Sequence, residues 1–551
     1  MLVFVQPGAA SSMESDVAAA LGGANPVDAY CKLLGGSFCS DIKAFYQAGL
    51  ESVRLNEKAP AYWPGDPKCE KRFFDQRLDH FDSSSTQTFK QMYYVCSEFW
   101  PLDPAVQKEK GTIIFEQGAE SALSGVPMSA MIWDHAAPYN ALVLALEHRY
   151  YGESFPFEPP ETAYVPTKQL RYLDVDQVLQ DAVYFLAEMR KQMAIPAAVP
   201  AVAFGGSYGG EVVSWLRASQ PDDFSAAIAS SAPVQFVVGT PRWAKNGDLY
   251  HEAVAAAIRA AHPQCSGLIR RGLDEIKRLS RTASGRSELA RRMGICEGEP
   301  ELTEASAIAL AERFYWMFPS FAQYDNSPPV YGTLAAACNA AVAAAAEAPP
   351  SDKLAAMRGL VDFESNTMKY NEYMECYLYS EDGKDNDRLV WDFKTWSAEF
   401  LSYTLYSYQC CANGAVFANF MTRKADRHDA YLSYTVRKEN VVRDCQEVFG
   451  DGDWVVPTKA MVDSYALMRK NGGVVFTNGQ HDPWAGGAPA GPSELSSPAN
   501  GGIGYVTYPG VAHCSDFYWY DPMEPAEKKA LRTKAMGFAM TSAEIWRKAR
   551  L

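Results

Sequence analysis

Histidine is scarce in this chain, with eight residues in 551. No Asn-x-Ser/Thr sequon occurs, and no stretch approaches the roughly 20 consecutive apolar residues of a membrane helix. An integral membrane protein is therefore excluded. Positive charge is also in deficit: 51 Lys and Arg face 66 Asp and Glu, for a net charge of -15, which repels the phosphates of nucleic acid. The twelve cysteines show no zinc-ligand spacing, no phosphate-loop lysine follows any glycine run, and there are no repeats or heptads. No metal or organic cofactor is implied. An even cysteine count with wide scatter favours disulfides made in an oxidising compartment. Met1-Leu2-Val3-Phe4-Val5 is apolar, but it lacks a basic flank and is shorter than a signal-peptide core of roughly 7–15 residues. No signal peptide is read there.

What is present is the texture of a large globular enzyme, with 48% hydrophobic and 21% charged residues. Residues 1–70 carry no sustained periodicity and are read as an N-terminal extension. Beyond them, short β-branched and aromatic runs ended by Gly or Pro predict strands at Thr88 to Cys96, Thr112 to Phe115, Ala141 to Glu147, Ala201 to Phe204 and Ala226 to Ala229. Leu173 to Met189 carries apolar residues at three- and four-residue spacing and predicts a helix. Such alternation implies a mostly parallel sheet covered by helices on both faces. After residue 235 the texture turns to Ala-, Leu- and Arg-rich helices, and strand texture returns at Gly473 to Thr477 and Gly504 to Tyr508. The expected architecture is thus an α/β-hydrolase domain in two parts, 71–235 and 456–551, interrupted by a mainly helical cap at 236–455. The basic run from Arg270 to Arg292 is interleaved with Asp274, Glu275 and Glu288 and reads as a solvated helix face.

Gly205-Gly206-Ser207-Tyr208-Gly209-Gly210 falls between a predicted strand and a predicted helix from Glu211 to Ala218. In that context G-x-S-x-G marks a nucleophilic serine on a sharp, strained turn. The N–H of Tyr208, at the helix N-terminus, is the candidate oxyanion donor. A serine hydroxyl needs a positioned base and an orienting carboxylate. His513 follows one late predicted strand and Asp482 another, and the order Ser207, Asp482, His513 is that of α/β-hydrolases. His481 is the rival base. Choosing it would break that order.

These segments, with Phe74-Asp75-Gln76-Arg77-Leu78-Asp79-His80-Phe81 and Glu147-His148-Arg149-Tyr150-Tyr151-Gly152-Glu153-Ser154, resemble the serine peptidases that include lysosomal Pro-Xaa carboxypeptidase, dipeptidyl peptidase II, thymus-specific serine protease and fungal prolyl endoprotease. The resemblance implies cleavage of peptides on the carboxyl side of proline, commonly in lysosomes, vacuoles or outside the cell. It implies that Ser207, Asp482 and His513 are the triad and that Trp484 forms an aromatic wall near the proline pocket. It also implies that Gly118 or Ala119, in Gly118-Ala119-Glu120, gives the second oxyanion N–H, with Glu120 beside the site. The segment around His148 is structural by the same resemblance. Peptide substrates and a homodimer are the expected partners, with no nucleic acid and no membrane span. One departure stands out: Glu211 occupies a position that is usually apolar. It could pair with a cation, titrate near the site, alter the proline pocket, or form an ion pair within its helix. An esterase or lipase using the same triad, and a non-catalytic binding protein, are the alternative functions.

Overall fold

The apolar runs assemble into one eight-stranded sheet in the computed structural model, which describes residues 69–123, 129–157, 165–237, 243–295, 301–325, 333–367, 398–414, 438–489, 502–517 and 526–551. The N-terminal extension up to residue 68 lies outside the described residues. The strands are β1 (Cys69–Arg77), β2 (Thr88–Cys96), β3 (Thr112–Gln117), β4 (Ala141–Leu146), β5 (Ala201–Gly206), β6 (Ala226–Ser230), β7 (Val474–Gly479) and β8 (Ile503–Tyr508). Their order across the sheet is β1-β2-β4-β3-β5-β6-β7-β8. The β1–β2 and β2–β4 pairs are antiparallel and all the others are parallel.

Every residue of β3, β4, β5, β6 and β7 is buried, because helices cover both faces of the parallel part. Helix α1 (Val175–Gln192) leads into β5 and α2 (Tyr208–Ser219) leads out of it. Helix α3 (Lys459–Asn471) precedes β7, and α4 (Ala526–Lys548) follows β8. Phe185 of α1 packs edge-on against Tyr93 and Phe74 and lies tilted over Phe115. Burying each such ring is worth about 1.5–3 kcal/mol.

Sequence reading found seven of these strands to within a few residues and missed β1. That edge strand is mostly exposed and charged, with only Phe74 and Gln76 buried, so its apolar signal is weak. Cys69 at its start is bonded to Cys96 at the end of β2.

Between β6 and β7 the chain runs through helices that include Trp243–Ala261, Cys265–Leu279, Ala283–Met293, Glu304–Gln323, Thr333–Glu347 and Ala355–Thr367. These bury a second apolar cluster around Ile258, Ile276, Phe318 and Leu360, stapled by Cys265–Cys338. The basic run spans two of these helices, and its Arg278, Arg270 and Arg292 are paired with Glu275, Asp274 and Glu288. A third disulfide, Cys411–Cys445, ties the helix Ala398–Asn413 to Lys438–Phe449. Among the described residues, no helix is long and apolar enough to cross a membrane.

Candidate active site

Three loops at the carboxyl ends of parallel strands carry Ser207, Asp482 and His513, which is where an open α/β sheet presents its chemistry. Ser207 sits between β5 and α2 with φ 56° and ψ -127°, a left-handed conformation forced by the sharpness of the turn. Its N–H donates to the Ser230 carbonyl on the neighbouring strand, 2.9 Å away. The turn is possible only because its neighbours lack side chains. A Cβ on Gly205 would lie 2.2 Å from the Gly209 oxygen, and one on Gly210 would lie 2.8 Å from the Ser230 oxygen.

Asp482 is fully buried after β7. Its Oδ1 accepts from the Trp484 N–H at 2.9 Å, capping a short 3-10 turn, and from His513 Nδ1 at 2.9 Å. That bond fixes the imidazole as the Nδ1–H tautomer, which leaves Nε2 as the basic atom. Nε2 is buried and has no hydrogen-bond partner. Burial alone disfavours the imidazolium, but the Cys514 sulfur beside the ring and the Asp482 carboxylate outweigh it, and the pKa lies well above the ordinary value. The arrangement can therefore accept a proton at Nε2 and hold it. His481, the rival, shares the Asp482 loop half-buried, and its backbone N–H donates to Val511.

The His513 loop is braced in ways the sequence did not suggest. Asp516, fully buried, accepts from Ser230 Oγ at 2.7 Å and from Thr477 Oγ1, spanning the ends of β6 and β7. The Cys514 N–H donates to Ser231 Oγ at 2.8 Å, and the His513 N–H donates to the Gln323 carbonyl at the end of helix Glu304–Gln323, 3.0 Å away. Only side chains meeting in space show this network. A serine or threonine at a strand end has no distinctive sequence signal.

Trp484 is half-buried, its ring 6.2 Å from that of His513 and 4.7 Å from that of Tyr250 on helix Trp243–Ala261. It thus forms a wall between the imidazole and the inserted helices. Tyr208 is buried beneath the turn. His148 Nδ1 faces the Arg149 carbonyl at 2.7 Å and so must donate, which makes Nε2 the acceptor of the Tyr208 hydroxyl at 3.2 Å. Burial lowers the pKa of this histidine to about 4, consistent with a neutral ring. The Tyr208 hydroxyl also accepts from Gln409 Nε2 at 2.8 Å. Arg149, fully buried, forks onto Asp181 with two contacts of 2.6 Å. The His148 segment is thus a brace, set away from Asp482.

Two expectations need correction. The Gly118 N–H donates to the Leu146 carbonyl at 2.8 Å, so it is spent within the sheet and is not free for an oxyanion. Ala119 remains in place, since a Cβ on Gly209 would lie 3.4 Å from the Ala119 Cβ. Glu211 forms no ion pair within its helix: it is fully buried and neither carboxylate oxygen has a hydrogen-bond partner. Glu120, half-buried, likewise has an unpartnered Oε2.

The strand order, the strained serine turn and the carboxylate-bound imidazole define an enzyme of the α/β-hydrolase class. The sequence profile of serine carboxypeptidase S28 matches residues 76–535, and the chain belongs to that family of serine peptidases. Human lysosomal Pro-X carboxypeptidase is 26% identical over 422 residues, covering 75% of this chain and 77% of its own. Human thymus-specific serine protease is 29% identical over 275 residues, covering 48% of this chain and 49% of its own. A solved α/β hydrolase from Novosphingobium aromaticivorans DSM 12444 aligns over 86% of this chain and 100% of its own at 12% identity and a TM-score of 0.30. The fold assignment rests on the strand order instead.

Proposed function

We propose that this serine peptidase cleaves peptides on the carboxyl side of proline in an acidic, lysosome-like compartment, with Ser207 as nucleophile, His513 as base and Asp482 as its orienting acid. The observation that carries the triad is the Asp482–His513 bond, which directs an unpartnered Nε2 away from the carboxylate. The proline preference and the compartment rest on the likeness to lysosomal Pro-X carboxypeptidase.

In this mechanism His513 Nε2 takes the proton of Ser207 Oγ as that oxygen bonds to the scissile carbonyl carbon. The carbonyl oxygen, now negative, is received by the N–H groups of Tyr208 and Ala119. Collapse breaks the C–N bond, and the leaving amine takes the proton from His513. Water then attacks the acyl-enzyme, giving its proton to the same nitrogen and restoring Ser207. Trp484 offers a flat apolar face to the proline ring.

Two measurements test this. Ser207→Ala should lower kcat on a Xaa-Pro-Xaa peptide by roughly 10⁶ and abolish labelling by a fluorophosphonate. Wild-type activity in that variant would refute the assignment. Mass spectrometry of the products from one blocked and one unblocked proline peptide decides among C-terminal trimming, N-terminal dipeptide release and internal cleavage.

A further inference from the structure

We infer that Glu211 and Glu120 form a cation-binding subsite beside Ser207, which receives an ammonium or guanidinium group of the substrate. The inference rests on the peptidase function proposed above and adds a specificity to it.

Buried carboxylates are ordinarily bonded to donors or paired with a cation, and one left with neither calls for an explanation. Glu211 is 0% exposed, and both its oxygens lack a hydrogen-bond partner. The charge that acts on Glu211 is another carboxylate, Glu120; among the described residues no cation offsets Glu211, while His513 partly offsets Glu120. The two acids lie within electrostatic reach of each other and of the same neighbours. Tyr208, Tyr406 and Cys410 each feel both carboxylates, and Glu120 in turn acts on the His513 side of the site.

Position gives the pocket its direction. Glu211 lies in the first turn of α2, four residues after Ser207, and its backbone N–H donates to the Ser207 carbonyl at 3.1 Å. Helical side chains lean toward the N-terminus, so that of Glu211 covers the turn that carries Ser207. The Tyr406 ring, 6.0 Å from that of Tyr208, adds an aromatic wall, and aromatic faces attract cations. An unpartnered carboxylate, a second with one unpartnered oxygen, and an aromatic wall make a good site for positive charge beside the proline. Burial holds both acids toward their proton-bearing form in the empty pocket, and an entering cation takes the proton's place.

The cation could come from a Lys or Arg side chain at the residue that precedes the proline, or from the α-amine of a substrate cut close to its N-terminus. The test measures kcat/KM at fixed pH for wild type, Glu211→Gln and Glu120→Gln on two matched pairs. One pair is an N-blocked peptide with Lys or norleucine immediately before the proline. The other is an Xaa-Pro peptide with a free or an acetylated N-terminus. Wild type should favour the charged member of at least one pair by about tenfold or more, and that pair identifies the source. Glu211→Gln should bring the ratio close to one while changing the uncharged member by no more than about threefold. No preference in either pair, or a ratio unchanged in Glu211→Gln, overturns the subsite. Fluorophosphonate labelling of the same wild-type sample separates the two hypotheses, since an unlabelled protein would sink the peptidase mechanism itself. Glu211→Met, which removes an unpartnered buried acid, supplies a well-folded control.

Discussion

The buried acids around the Ser207 turn are treated differently according to the strand that carries them. Those carried by the loops after β7 and β8 have donors: Asp482 accepts from His513 and Trp484 on Oδ1, with Oδ2 left unpartnered, and Asp516 accepts from Ser230 and Thr477 on both oxygens. Those on β3, the loop after it and α2 hold no charged partner as Asp482 holds His513 through a hydrogen bond: Glu116 and Glu120 each keep an unpartnered oxygen, and Glu211 keeps two. A satisfied carboxylate is rigid and can hold an imidazole in one tautomer, whereas an unsatisfied one holds a proton or waits for a cation. One side of the site is thereby suited to chemistry and the other to selection.

Breaking the satisfied side should have the largest effect. Asp482→Asn preserves shape but offers an N–H where His513 Nδ1 needs an acceptor, favouring the wrong tautomer. A loss of about 10⁴ in kcat is expected, as for the corresponding change in serine proteases of another fold. Steady-state kinetics on a Xaa-Pro-Xaa peptide check this, and a loss under tenfold would show that Asp482 does not orient the base.

The unsatisfied side should announce itself through pH. Burial raises the pKa of Glu116 from 4.5 to about 8. Below pH 4.5 the group is protonated whether the chain is folded or not. Above it the unfolded chain ionises while folded Glu116 keeps its proton, so stability drains away as pH rises toward 8. The penalty is at most about 5 kcal/mol, and Glu120 and Glu211 act with the same sign. Urea unfolding of wild type should therefore show greatest stability in acid, which suits the proposed compartment, and Glu116→Gln should flatten part of the slope. An unchanged slope would mean that Glu116 reaches water.

Much of the fold and of the satisfied side was legible in the sequence. Hydrophobic runs bounded by Gly and Pro located β2 through β8, and the order of Ser207, Asp482 and His513 pointed to three strand-end loops. Glu211 could be singled out as a departure, yet its lack of a partner depends on where the rest of the chain goes. Gly118 shows the opposite failure: its backbone N–H was expected at the oxyanion and is bonded to Leu146 across the sheet. Pairing of cysteines was equally hidden, since Cys265 and Cys338 are 73 residues apart. Opening that bond with Cys265→Ser should cost about 4 kcal/mol by the loop-entropy relation. The midpoint of urea unfolding reads it out, and peptidase activity under native conditions should be retained.

The smallest expected effect tests how far the satisfied side owes its function to rigidity. Asp516 is three residues from His513 and takes hydroxyl protons from two strands, so it sets where the His loop leaves the sheet. In Asp516→Asn one acceptor oxygen becomes an N–H donor, and one of the two hydroxyls must turn away. A slightly displaced imidazole costs rate without costing substrate affinity, so kcat should fall about ten- to a hundredfold at nearly constant KM. Counting active molecules by fluorophosphonate titration separates this from partial unfolding, which would lower the titre and leave kcat per labelled site unchanged. If kcat per site holds, the Asp482–His513 bond suffices by itself, and the Asp516 network serves only to fasten β6, β7 and the loop together.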